Sequence, residues 1–327
     1  MAIDAFRFFC VLAVVPLHCV FLDRYPDAVR ASAEAVERAL GSLAWPGLKL
    51  LFLLSGFLFF RDVRSAPSFV AFWKSKLLRR ARSLLVPYLF WNLFAISWRA
   101  ALHRLPDGGV FDWLVGCCGW ATHPIGGGLW FMKTLLCFSL LAPLYHAAFR
   151  LLGRASIPVG IALAFLPPVP VDWPLFQPWL FLGGALAFRD NDLRSLADGQ
   201  ARLFVPAGVA TAVWAAVQTA GLPCPAFLGV LPFVFLFAMF DALSRVRLPD
   251  RLIALVRAST FLYFAHFVVS AFVREALLFV FSPDTIAAAI SLYLLRILLA
   301  VAITLSAFFF FRRFAPRLLS YVTGGRA

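Results

Sequence analysis

The chain has 327 residues, 62% of them hydrophobic and 14% charged, with a formal net charge of +14 and a mean hydropathy of +0.87. Soluble domains are about half apolar, so this composition excludes an ordinary soluble fold. Nor does the positive charge point to nucleic acid, because the basic residues fall in short clusters between apolar runs, as positive-inside bias produces in a polytopic membrane protein.

Apolar runs such as "LFLLSGFLFF" and "LLRILLAVAITLSAFFFF" recur between charged punctuation, as expected when each helix must cross roughly 30 Å of hydrocarbon. In chain order the spacing predicts helices at 5–22, 43–60, 83–102, 128–149, 156–170, 175–188, 203–219, 227–243, 258–281 and 287–311. The expectation is an all-α polytopic bundle of about ten transmembrane helices. The fifth and sixth are short and share the Pro-rich piece "FLPPVPVDWPLF", so they read as merged, tilted or broken. The N-terminus carries the acidic Asp4 where a secretory signal would be basic, and no small-residue cleavage pattern follows "LHCVFLDRYP". It reads as a retained first helix.

Orientation follows from the basic residues. Arg61, Arg64, Lys74, Lys76, Arg79, Arg80 and Arg82 lie between the second and third helices. Arg150 and Arg154, then Arg189, Arg194 and Arg202, then Arg245, Arg247 and Arg251, then Arg312, Arg313 and Arg317 fall on the same side. The opposite side has chiefly Arg24, Arg30, Arg38 and Arg104. Both termini are therefore expected in the cytoplasm. Connections of at most about 25 residues leave no room for an appended soluble domain, so residues 1–327 read as one membrane domain. Of six cysteines, Cys10, Cys19 and Cys137 fall in apolar helices, where they act as small hydrophobes. Cys117, Cys118 and Cys224 lie outside the spans, where a disulfide and free thiols are both open.

An ionisable group inside a membrane helix costs several kcal/mol unless paired or hydrated, which singles out Asp4, Arg7, His18, Lys49, Lys133, His266 and Arg296. The first helix contains "RFFCVLAVVPLH", with Arg7 and His18 at its ends. At 100° per residue the two lie within about 20° of the same face, about 16 Å apart along the axis. Asp4 joins that face and can pair with Arg7, while Pro16 removes a backbone hydrogen bond near His18. One reading is the wall of a polar tunnel. The other is an arginine that snorkels to headgroups and a histidine satisfied by a neighbouring carbonyl. Arg296, near the middle of its helix, should face the bundle interior. It and Lys133 could stabilise a developing oxyanion or pair with an acid such as Asp241.

The segment "IDAFRFFCVLAVVPLH" resembles the first helix of acyltransferase family 3, the integral membrane O-acyltransferases. Further pieces are similar in the same order: "LLFLLSGFLFF", "KSKLLRRARSLLVPYLFWNLF", "GGLWFMKTLL" with "LLAPLY", and "STFLYFAHFVVS". The resemblance implies transfer of an acyl group, commonly acetyl, from cytoplasmic acyl-CoA to a hydroxyl of a glycan or other envelope molecule. It further implies a bacterial inner (plasma) membrane location and a reaction without a metal. Arg80-Ala81-Arg82 matches the family's Arg-x-Arg element, which gives Arg80 and Arg82 the donor-binding role; arginine grips phosphate bidentately. Arg61, Arg64, Lys74 and Lys76 read as topogenic charges. His18, as neutral imidazole, suits the general base that takes the acceptor's proton, and Arg7, the other catalytic candidate, would orient the donor at the inner mouth or bias the electrostatics around the base. No Cys-His arrangement is recognisable, which favours direct transfer over a covalent intermediate. His266 in "YFAH" is carried over for a structural or acceptor-positioning role, against the plain alternative of a satisfied core histidine. Tyr263, three residues back on nearly the same face, could hydrogen-bond nearby, and Arg296 and Lys133, which match no family motif, are further substrate-side candidates. Gly128 stands where relatives often have a polar residue, a departure that bears on acceptor choice.

A transporter or flippase with a polar pathway along helix one competes with this reading. Its usual midplane carboxylates are missing, since Asp4 and Asp241 lie near helix ends. A purely structural envelope role would leave the intramembrane charges without return.

Overall fold

The computed structural model describes residues 2–21, 25–101, 129–165, 177–220, 222 and 226–325, and every regular element among them is helical. Helix α1 spans Ala2–Val14 and carries Asp4 in its first turn, where an acid complements the helix dipole. Pro16 has no N–H to give the helix, and the chain tightens around it into a 3₁₀ turn over Val15–His18. Helix α2, Asp27–Phe60, runs for 34 residues through Pro46. Its polar first half, "DAVRASAEAVERALGS", precedes the apolar run that the sequence reading placed at 43–60.

Helix α3, Phe69–Arg80, is N-capped by the Ser68 hydroxyl, which accepts from the Ala71 N–H at 3.2 Å. It passes through a π turn at Ala81–Leu85 into α4, Val86–Ala101. Then come α5 (Trp130–Leu152), which ends at Gly153 with φ +57°, and α6 (Ser156–Phe165). They are followed by α7 (Pro178–Phe188), α8 (Leu193–Ala197), α9 (Phe204–Thr219) and α10 (Leu231–Arg245). The chain closes with α11 (Asp250–Arg257), α12 (Ser259–Val280), α13 (Ile286–Phe314) and α14 (Pro316–Thr323).

Each of the ten spans drawn from the sequence overlaps a helix. Six helical stretches among the described residues are long and apolar enough to cross a membrane: Asp27–Phe60, Trp130–Phe165, Gln200–Gln218, Leu228–Arg245, Ser259–Val280 and Ile286–Phe314. The fourth and fifth drawn spans are thus one 36-residue run interrupted at Gly153. Cys117, Cys118, Cys224, Gly128, Arg24, Arg104 and most of the Pro-rich piece lie outside the described residues.

The chain divides into two compact units that interleave in sequence. The first comprises Met1–Lys49 and Leu193–Arg313. Within it α1 packs on α10, α11 and α12, and α9 packs on α10. Phe6 and Phe240 meet edge-to-face at 5.3 Å. The Asp241 carboxylate, 2% exposed, accepts from Arg245 Nε at 3.0 Å and from the Ala201 N–H at 2.9 Å. The aliphatic part of Lys49 in α2 brings its ammonium 5.7 Å from the centre of the Phe233 ring, a cation–π arrangement.

The second unit comprises Leu50–Asp192 and Phe314–Ala327. Its core is aromatic: Phe59, Phe60, Phe72, Phe138 and Phe149 make edge-to-face pairs at 5.1–5.8 Å, the geometry that ring quadrupoles favour. Glycine lets backbones touch beside it. A Cβ on Gly183 would sit 1.9 Å from the Leu53 carbonyl oxygen, and one on Gly56 2.2 Å from that of Leu180. Small residues at a helix crossing permit this approach. Gly183→Ala should lower the thermal unfolding midpoint in detergent, at a cost on the order of 1–3 kcal/mol for overpacking. Gly229→Ala, where a Cβ meets nothing within 4 Å, should leave the midpoint unchanged.

Candidate active site

The 3₁₀ turn changes where His18 points. At three residues per turn its four residues advance the side chains by about 80° beyond an α-helix, so His18 leaves the face of Arg7. The imidazole is half-buried and its ring lies 5.1 Å from that of His266 on α12. Arg7 stays on α1 with its guanidinium 3.8 Å from the Asp4 carboxylate. The two ends of the motif therefore occupy separate surroundings.

Beyond Val14 the backbone bonds to itself only as a 3₁₀ turn, and its carbonyls find further partners on α12 and α13. The Pro16 carbonyl accepts from the Cys19 N–H at 3.1 Å and from the Tyr293 hydroxyl at 3.2 Å. The His18 carbonyl accepts from the Ser270 hydroxyl at 2.9 Å and from Arg296 Nη2 at 3.2 Å. The Val20 carbonyl accepts from Arg296 Nη1 at 2.7 Å. Arg296 Nε donates to the Ser270 oxygens, at 3.0 Å to Oγ and 3.2 Å to the carbonyl. Arg296 is 3% exposed and so faces the interior as expected. Its bonds go to backbone and hydroxyl, whereas Asp241, the acid suggested as its partner, binds Arg245.

Past this turn, the chain is tied to α2. Glu37, 3% exposed, accepts at Oε1 from the Phe21 N–H at 2.9 Å and from the Tyr25 hydroxyl at 2.7 Å. The Arg296 guanidinium lies 4.9 Å from the centre of the Phe21 ring and interacts electrostatically with Glu37. Glu37 was missed in the sequence reading, which began the second helix after it; its place as the last acid before a strongly apolar run was the available sign.

His266 is fully buried. Its Nδ1 stands 2.9 Å from the Leu262 carbonyl, which can only accept, so Nδ1 carries the proton by this assignment. Nε2 is then the lone-pair nitrogen, and among the described residues it has no hydrogen-bond partner. Tyr263 lies with its ring centre 6.3 Å from that of His266.

In the second unit, Arg80 and Arg82 border and occupy the π turn, a distortion that often marks functional positions. Arg80 is half-buried, with Nη2 3.4 Å from the Ser55 carbonyl and its guanidinium 5.5 Å from the centre of the Phe59 ring. Arg82 is exposed. Residues two apart on a helix do not face each other, so the two guanidiniums do not converge. Of the charges read as topogenic, Lys76 donates to Asp62 at 3.2 Å and to the Leu58 carbonyl at 3.3 Å, while Arg64 pairs with Asp190. Burial opposes ionisation of Asp62, yet the bonds from Lys76 and Arg61 outweigh it and hold the carboxyl below the usual carboxylate range. Lys133 is half-buried on α5, one turn before Cys137. Trp130 packs its ring against Phe52, centre to centre 5.7 Å and tilted by 51°.

An all-helical membrane protein that holds a half-buried histidine against a buried one has the ingredients of an intramembrane enzyme. The chain belongs to acyltransferase family 3: residues 2–310 match that family's acyltransferase domain, and it is a membrane enzyme that transfers acyl groups. No curated protein and no solved structure compared with it gives a significant match.

Glu37→Ala should destabilise the protein by about 1–3 kcal/mol for each buried donor left unpaired, whereas Tyr25→Phe, which spares the bond to the Phe21 N–H, should cost about 1 kcal/mol. Unfolding midpoints of the two purified variants in the same detergent check the order.

Proposed function

We propose that this chain is an O-acyltransferase, in bacteria an inner-membrane one, that moves an acyl group, acetyl by family habit, from cytoplasmic acyl-CoA to a hydroxyl of a cell-envelope glycan or related acceptor. The proposal rests on membership of the family over nearly the whole chain together with the half-buried His18 beside His266. About ten helices would cross the bilayer with both termini in the cytoplasm, in keeping with the arginine clusters.

In this reading His18 takes the proton of the acceptor hydroxyl as its oxygen attacks the thioester carbon. The carbon–sulfur bond breaks, the imidazolium returns the proton to the departing thiolate, and the products are the ester and free coenzyme A. Direct transfer is supported by two of the three described cysteines: Cys10 and Cys19 are buried, Cys137 half-buried, and Cys19 Sγ lies 3.4 Å from the Ser270 hydroxyl. Arg80 and Arg82 bind the phosphate end of the donor. The exposed Arg82 is free to meet a phosphate, and Arg80, braced on Ser55 and Phe59, orients the element. Arg7 orients the donor, while His266, Tyr263 and Lys133 serve the acceptor.

His18→Ala should abolish acylation while leaving the protein folded and inserted, and Arg82→Ala should raise KM for acyl-CoA with little change in kcat. Comparative mass spectrometry of surface glycans from cells with the protein, without it and with the His18 variant reads the first. Loss of one acyl mass in both deficient strains is the expected result. Unchanged glycans in all three, with altered uptake, would favour a transporter.

A further inference from the structure

We infer that Arg296 is a positioning residue for His18, acting through the backbone as a clamp on the 3₁₀ turn that presents the imidazole. The inference builds on the reading of His18 as the base, but its geometry is independent of the reaction. A guanidinium has five N–H donors in a rigid fork and no acceptor. Arg296 directs Nη2 at the carbonyl of His18 itself, Nη1 at the carbonyl two residues on, and Nε at Ser270. The Ser270 hydroxyl in turn donates to the His18 carbonyl. Two side chains from different helices therefore converge on one peptide group.

The clamp answers a need of the fold. Backbone carbonyls that leave a helix within a membrane must be satisfied by protein, and lysine, a point charge on a flexible stem, could not span two of them in one plane. Bonds made by a charged donor are about twice as strong as neutral ones, which suits them to fixing a turn. One N–H on each of Nε, Nη1 and Nη2 is committed to a protein oxygen, so three of the five donors serve the turn. Glu37 holds the next piece of chain through the Phe21 N–H, so the turn is fixed from both sides.

The test uses Arg296→Met, Arg296→Lys and Ser270→Ala in the full-length protein. The first readout is the rate at which diethyl pyrocarbonate modifies His18 in detergent, followed by peptide mass spectrometry. Arg296→Met should change that rate several-fold relative to the parent. Arg296→Lys should lie closer to the parent, and Ser270→Ala should shift the rate in the same direction by less. The second readout is acyl transfer, where Arg296→Met should lower kcat roughly 100-fold, the effect expected of a misplaced catalytic group, with KM for acyl-CoA unchanged. Should Arg296→Met fail to fold, Ser270→Ala decides by both readouts. A parent-like His18 modification rate in the folded variants would overturn the inference. If the parent itself transfers no acyl group, the proposed function falls while the modification rates still judge the clamp.

Discussion

The chain after Val14 stops being an α-helix inside a protein that has little water to offer it, and its carbonyls must be satisfied from elsewhere. Tyr293, Ser270 and Arg296 supply those bonds from α12 and α13. A proline begins this chain of consequence: Pro16 ends the helix, the turn tightens, and His18 swings away from the face it would otherwise share with Arg7. The family match makes the chain a membrane acyltransferase, and the hydrogen bonds show why the turn that carries His18 stands where it does.

Each unit has its own way of becoming rigid. In the first, polar side chains buried to a few per cent, namely Glu37, Asp241, His266 and Arg296, are placed by specific bonds. In the second, the aromatic cluster and the glycine contacts at Gly56 and Gly183 provide close packing with little polar content. Precise placement of a side chain calls for directional bonds, whereas van der Waals packing is enough to hold a scaffold together. His266 is placed through Nδ1, which leaves Nε2 as a buried acceptor without a hydrogen-bond partner among the described residues.

Hydropathy located the helices because each must hide its backbone in hydrocarbon, and the motif order disclosed the family because it is written in local residues. The polar start of α2 escaped because hydropathy sees only the apolar half of a helix, and Glu37 was lost with it. Helical arithmetic placed Arg7 and His18 on one face, although Pro16 had already given notice of the break that separates them. Arg296 was read correctly as facing inward, but a search for opposite charges proposed Asp241. Backbone carbonyls leave no mark in a sequence, so a cation satisfied by them could be recognised only once the turn was seen.

The account turns on direct transfer with His18 as the base, and reconstituted vesicles test it most closely. Purified protein would be given labelled acetyl-CoA and an isolated envelope glycan fraction, and label would be followed on both glycan and denatured protein. The account predicts label on the glycan with the parent protein, none with His18→Gln, and none retained on the protein in either case. Label transferred at the parental rate by His18→Gln, or a stable acyl group left on the chain, would contradict it.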